Sequence, residues 1–123
     1  MADILIVDDS AAFRQMLERI VLSQFPSMQI VGAKDGKEAV EKTREDPPRL
    51  IFMDIRLPDE NGFQVTRKIK AEYPEIPIII MTSYDSPEYR DTARDSGADF
   101  FLSKKSSTAA DILKKVESIL FPN

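Results

Sequence analysis

The 123-residue sequence contains neither cysteine nor histidine. Without cysteine it has no disulfide framework and no thiolate metal ligand. Without histidine it has no imidazole base or metal ligand and no phosphohistidine, so Ser-His-Asp hydrolases and zinc hydrolases are excluded. Long apolar runs are also missing, and the start, Met1-Ala2-Asp3, lacks the basic flank of a signal peptide. We therefore expect a cytoplasmic protein without membrane attachment.

The chain also lacks an excess of basic residues. Its 17 lysines and arginines are outnumbered by 21 acidic residues, so direct binding of nucleic acid is not expected. The hydrophobic share of 42% and the charged share of 31% are typical of a globular protein rather than a disordered one. The length predicts one domain, spanning residues 1–123.

Four short apolar segments are continuous rather than alternating, which is typical of parallel strands buried on both faces. They are residues 4–7, 50–53, 78–81 and 100–102, and a weaker segment, 28–31, fits a strand nearer the sheet edge. The segments between these strands have apolar residues at helical spacing. The helix predicted over 86–96 is so polar that we expect it to be the helix held least firmly against the sheet. The alternation predicts an α/β fold: a single open five-stranded parallel sheet with helices on both faces.

Polar residues follow four of these strands. Asp8 and Asp9 end the first strand, Asp54 the third and Thr82 the fourth, and Lys104 follows the last. The carboxyl ends of parallel strands share one edge, where ligands bind. Three converging acids repel one another unless a cation lies among them, and an all-oxygen cluster suits Mg²⁺. Each residue alone is more often a cap, a turn former or a surface charge; their joint placement predicts a site for Mg²⁺ and an anion.

At these residues the sequence resembles the response-regulator receiver domains of bacterial two-component signalling. The matching segments are 4–10, 33–39, 53–62, 78–83 and 97–104. The resemblance implies a flavodoxin-like strand order, 2-1-3-4-5. It also implies a regulatory phosphoacceptor rather than an enzyme that turns over an external substrate.

In this family the matching acids bind metal and accept a phosphoryl group. Asp54 would take the phosphoryl group from a sensor histidine kinase, a histidine phosphotransfer protein or a small donor such as acetyl phosphate. Asp9 and Asp54 would bind Mg²⁺ directly, together with the backbone carbonyl of Arg56, and Asp8 would act through water.

The resemblance also implies a switch. Lys104 and Thr82 would contact the phosphoryl oxygens, and Phe101 would move into space that Thr82 vacates, changing a surface formed by helix 4, strand 5 and helix 5. Arg56 and Tyr84 match positions that tune dephosphorylation. Two alternatives stay open: Phe101 as plain core, with one ring of the Phe100–Phe101 pair buried and the other exposed, and Tyr84 as an exposed loop residue.

One position departs from the family. Lys105 stands where a proline usually follows the lysine through a cis bond. A cis bond before a residue other than proline costs about 2.5–4 kcal/mol. We therefore predict a trans Lys104–Lys105 bond, or else a strained cis bond held by its surroundings.

Rival functions fit less well. A haloacid-dehalogenase-type hydrolase needs an acid where Arg56 stands, and Asp8 and Asp9 would repel a flavin phosphate. A nucleotide-binding glycine-rich lysine loop is missing. A receiver fold acting as a constitutive interaction module stays open. So do a homodimer, a downstream protein target and a missing C-terminal output domain.

Overall fold

Residues 2–122 are described by the structure, a computed structural model; Met1 and Asn123, the ends of the predicted domain, lie outside them. Within this part, five parallel strands form one sheet in the order β2-β1-β3-β4-β5. The strands are β1 (Ile4–Val7), β2 (Ile30–Ala33), β3 (Leu50–Met53), β4 (Ile78–Thr82) and β5 (Phe100–Ser103). The predicted fold class and strand order are confirmed.

Five helices alternate with the strands and cover both faces of the sheet. They are α1 (Ala11–Gln24), α2 (Gly36–Glu45), α3 (Gly62–Glu72), α4 (Pro87–Asp95) and α5 (Ala109–Leu120). Successive strand residues point to opposite faces. Ile6 and its face therefore pack against α1 and α5, through Leu17 and Val116. The opposite face, which includes Leu5, packs against α2, α3 and α4.

The helix ends follow local sequence signals. Ser10 Oγ accepts a hydrogen bond from the Phe13 amide at the start of α1. Thr108 and Asp111 form a reciprocal capping box at the start of α5. After α4, Gly97 has a φ of +102°, a left-handed conformation that favours glycine.

Helix α4 is the weakly docked helix that the sequence predicted. Within Pro87–Asp95, Ala93 is the one fully buried residue. Most of the remaining side chains are charged or polar, so the helix has little apolar surface to place on the sheet.

The second strand begins two residues later than the sequence predicted. The prediction of 28–31 is wrong because Met28 belongs to a turn, in which its amide donates to the Phe25 carbonyl. Met28 nevertheless packs against the core beside α1, which explains its apolar character. At this edge of the sheet, Lys42 Nζ donates a hydrogen bond to the Gly32 carbonyl.

Among residues 2–122, every helix is too short or too polar to span a bilayer.

Candidate functional site

Three carboxylates meet at the carboxyl edge of the sheet, as the sequence predicted. Asp8, Asp9 and Asp54 each place one carboxylate oxygen within 4.8 Å of the others. The chain holds them there because β1 and β3 are neighbours, and the Asp54 amide donates to the Val7 carbonyl over 3.0 Å. Asp8 is 1% exposed and Asp54 9%, whereas Asp9 is exposed. The cluster is thus buried on one side and open on the other.

Lys104 reaches this cluster from the far end of the chain. Its Nζ lies 2.6 Å from Asp8 Oδ2 and 3.3 Å from Asp54 Oδ2. Its backbone amide donates to the Thr82 carbonyl over 2.8 Å, which continues the β4–β5 pairing and positions the side chain. On its other side, Nζ lies 4.0 Å from the centroid of the Phe13 ring. The ammonium therefore lies between the two buried carboxylates and an aromatic face.

Burial and charge act in opposite directions in this group. Burial raises the pKa of Asp8 and the nearby Asp54 charge adds to it, although hydrogen bonds from Lys104 and the Ser10 amide oppose the shift. Burial also disfavours the charged form of Lys104. The hydrogen bond to Asp8 and the charges of Asp54 and Asp8 outweigh it, so the pKa of Lys104 is raised. Lys104 is therefore cationic at neutral pH and compensates part of the acidic charge.

The donor set fits a hard divalent cation. It consists of oxygen atoms from three carboxylates, set against a single ammonium group. Mg²⁺ prefers oxygen ligands and keeps several waters, which the exposed side at Asp9 allows. Arg56, whose carbonyl would be a metal ligand by the family resemblance, lies in a loop closed by antiparallel backbone pairing with Asn61.

Gly62 packs directly against the backbone of Asp54. A Cβ atom at position 62 would lie 2.0 Å from the Asp54 carbonyl oxygen, closer than any real contact. The Gly62 amide donates to the Ile55 carbonyl over 2.6 Å. The start of α3 can therefore approach the acidic site this closely because position 62 has no side chain.

The predicted switch residues lie on one face of the sheet. Thr82 lies at the end of β4 and is 0% exposed. Its side chain points to the same face of the sheet as that of Ile80, two residues earlier. Phe101 of β5 pairs with Ile80 and packs on this same face. The Phe101 ring is half-buried, with the Arg90 guanidinium carbon 4.6 Å from its centroid. Phe100 is exposed beneath Lys115. Phe101 is therefore the inner ring of the pair.

The two predicted tuning residues touch each other. The Arg56 guanidinium carbon lies 4.3 Å from the centroid of the Tyr84 ring. Tyr84 is 38% exposed, and its amide donates to Thr82 Oγ1 over 3.3 Å. The sequence singled out both residues but not their contact, since nothing in the sequence pairs two loop residues that far apart. The predicted trans Lys104–Lys105 bond is confirmed, because every peptide bond of the described residues is trans.

Comparison with known proteins decides the family. The model of the response regulator receiver domain matches residues 4–117. The chain belongs to the response-regulator receiver family. The family is that of the receiver domains of two-component response regulators, whose members act as regulatory phosphoacceptors.

The receiver domain is similar to parts of longer proteins. It is 39% identical over 120 residues to a protein-glutamate methylesterase/protein-glutamine glutaminase of Methanococcus maripaludis, covering 95% of this chain and 33% of that protein. It is 36% identical over 116 residues to the response regulator VraR of Staphylococcus saprophyticus, covering 92% of this chain and 54% of that protein. The chain thus spans a third to about half of these relatives.

Solved structures share the fold over nearly the whole receiver domain. The response regulator domain of Thermotoga maritima CheB superposes with a TM-score of 0.85 at 30% identity, covering 100% of this chain and 98% of that one. A receiver domain protein from Methanospirillum hungatei gives 0.86 at 28% identity, covering 96% and 92%.

Proposed function

We propose that this domain is cytoplasmic and accepts a phosphoryl group on Asp54, with Mg²⁺ as cofactor, from a sensor histidine kinase or a histidine phosphotransfer protein. The observation that carries the proposal is the Lys104 ammonium held 2.6 Å from Asp8 and 3.3 Å from Asp54 beside a third carboxylate. This group combines a nucleophile with cationic and metal-binding groups at one open edge.

In the proposed transfer, a carboxylate oxygen of Asp54 forms a bond to phosphorus. The bond from phosphorus to the donor's imidazole nitrogen breaks, and that nitrogen keeps the electron pair. Asp54 Oδ1 accepts a hydrogen bond from the Ile55 amide over 2.8 Å. This bond fixes the orientation of the carboxylate group. Lys104 would exchange its contact with Asp54 Oδ2 for one with a phosphoryl oxygen.

Asp9, Asp54 and the Arg56 carbonyl would hold Mg²⁺, with Asp8 acting through water. When bound, the ion supplies positive charge that offsets the charge on the phosphoryl oxygens. Asp8 is already paired with Lys104, so its part is to hold that ammonium and to orient water.

We propose that the signal leaves through α4, β5 and α5. Thr82 would turn its hydroxyl to the phosphoryl group, and Phe101 would move inward, away from the Arg90 guanidinium. A cleft of about 520 Å³ lies beside Phe101, and its charged lining residues are Arg90, Lys114, Lys115 and Asp111. This mainly basic surface suits an acidic segment of a downstream target or of a C-terminal output domain. A second copy of the domain is a further candidate partner.

We further propose that residues 1–123 form one receiver domain that has no membrane or nucleic-acid contact of its own. Its activity would be limited to its own phosphorylation and dephosphorylation. The curated relatives in which this part is joined to further sequence support a regulatory role of this kind.

The test is intact mass after incubation with acetyl phosphate, with Mg²⁺ or with EDTA. We expect one phosphoryl adduct that forms only with Mg²⁺ and is lost in Asp54→Asn. Asp95→Asn is the matched control, because Asp95 is an exposed carboxylate on α4. An adduct that persists in Asp54→Asn contradicts the assignment. If neither acetyl phosphate nor phosphorylated kinases give an adduct, the result favours the constitutive interaction module instead.

A further inference from the structure

Four side chains form a continuous row beside the acidic site. The Arg56 guanidinium lies over the Tyr84 ring, and the Tyr84 and Tyr89 rings are 5.8 Å apart between centroids. Tyr89 is in turn stacked on Phe63, with centroids 6.5 Å apart and an interplanar angle of 24°. We call Arg56, Tyr84, Tyr89 and Phe63 the aromatic row. It connects the loop after β3, the loop after β4, helix α4 and helix α3.

The aromatic row is anchored at one end and open at the other. Phe63, in the first turn of α3, is buried in the core, and Tyr89 is half-buried against the same core. Tyr84 and Arg56 are exposed. Because α4 buries little else, Tyr89 is one of its few apolar attachments to the rest of the domain. Tyr89 is therefore the ring that connects the exposed Tyr84 ring to the core.

The open end of the row borders the proposed phosphorylation site. Arg56 lies two residues after Asp54, and Tyr84 lies two residues after Thr82 and is hydrogen-bonded to it through its amide. Side chains at this border would limit the approach of water from one side. Hydrolysis of the proposed aspartyl phosphate requires such an approach: a water oxygen bonds to phosphorus, and the bond from phosphorus to the Asp54 oxygen breaks. Inorganic phosphate leaves, the Asp54 carboxylate keeps the electron pair, and a proton passes to solvent.

We propose that Tyr89 is a positioning residue that holds Tyr84, and through it Arg56, over the site and thereby lengthens the life of the phosphoryl group. This inference rests on the proposed function. Tyr89 acts through ring contacts, so its hydroxyl is dispensable and its aromatic ring is not. Contacts of this kind change a rate or an equilibrium by about three- to tenfold.

The experiment follows loss of the phosphoryl adduct by intact mass after removal of acetyl phosphate. We expect Tyr89→Leu, which keeps apolar burial without the aromatic face, to accelerate the loss by about three- to tenfold. Tyr89→Phe should retain the original rate. Asp91→Ala, on an exposed position of the same helix, is the matched control and should also retain it.

A double variant separates positioning from a general loosening of α4. If Tyr89 acts through Tyr84, the double variant Tyr84→Ala/Tyr89→Leu loses its adduct no faster than Tyr84→Ala alone. Two effects that multiply contradict the inference, as does an adduct that forms on Tyr89→Leu and decays at the original rate. A wild-type chain that forms no adduct with any donor contradicts the proposed function itself, and the inference falls with it. Thermal unfolding of each variant confirms that it is folded at the assay temperature.

Discussion

The acidic site and helix α4 are neighbours that are held in very different ways. Asp8, Asp54 and Thr82 are almost inaccessible to solvent and extend directly from central strands. Helix α4 rests on Ala93 and a few ring contacts, and its N-cap residue Ser86 makes no side-chain capping hydrogen bond within the described structure. The proposed phosphoryl transfer would thus take place where the backbone is firmly held, next to a helix with few buried contacts. Under the proposed function, a charge change at the acidic site would shift α4 at a small energetic cost.

The comparison is most directly tested by weakening the sheet below the site. Ile80 is fully buried in β4, and Ile80→Ala should lower the free energy of unfolding by about 2–5 kcal/mol. Hydrogen exchange should then accelerate in β4, whose amides exchange through global unfolding. Amides of α4 should keep their rates because that helix opens locally. Equal acceleration in both elements would show that α4 is as firmly held as the sheet.

A second variant tests how much the acidic site depends on its internal cation. Lys104→Met keeps the stem of the side chain but leaves Asp8 buried without its ammonium partner. We expect a loss of about 2–3 kcal/mol of stability in urea unfolding with EDTA present. Lys105→Met, on the exposed neighbouring residue, should change stability by no more than about 0.5 kcal/mol. Equal effects of the two variants would contradict a special role for the buried pair.

The smallest expected effect concerns the loop between β3 and α3, on the side of the acidic site away from α4. Asp59 accepts hydrogen bonds from the Gly36 and Lys37 amides at the start of α2, and these bonds lower the pKa of its carboxyl group. A lowered pKa stabilises the fold above the ordinary value of 3.8, and this contribution disappears as the pH falls through the folded-state pKa.

The Asp59→Asn variant should therefore be slightly less stable than the original chain at pH 7. The two unfolding midpoints should converge in acid, measured by circular dichroism from neutral to acidic pH. Asp95→Asn, which alters an exposed carboxylate on α4, is the control. A constant difference between Asp59→Asn and the original chain at every pH would contradict the assigned pKa shift.

The sequence predicted the central elements well because burial on both faces leaves a continuous apolar pattern. Strands β1 and β3 have the predicted bounds, and the residues at their ends converge as expected. The edge strand β2 was misplaced because Met28 is apolar for packing in a turn, and periodicity does not distinguish that from a strand. The contact between Arg56 and Tyr84 depends on the paths of two loops, which strand and helix patterns do not encode.

Gly62 limits which residues this sequence can carry beside the acidic site. A side chain at this position would collide with the main chain of Asp54, which cannot move aside as the tip of a flexible side chain can. Substitution here would therefore displace the proposed acceptor while leaving every charged residue of the site in place. A position beside the acidic cluster that tolerates little change is thus one that contributes no functional group, and a survey confined to reactive side chains would overlook it.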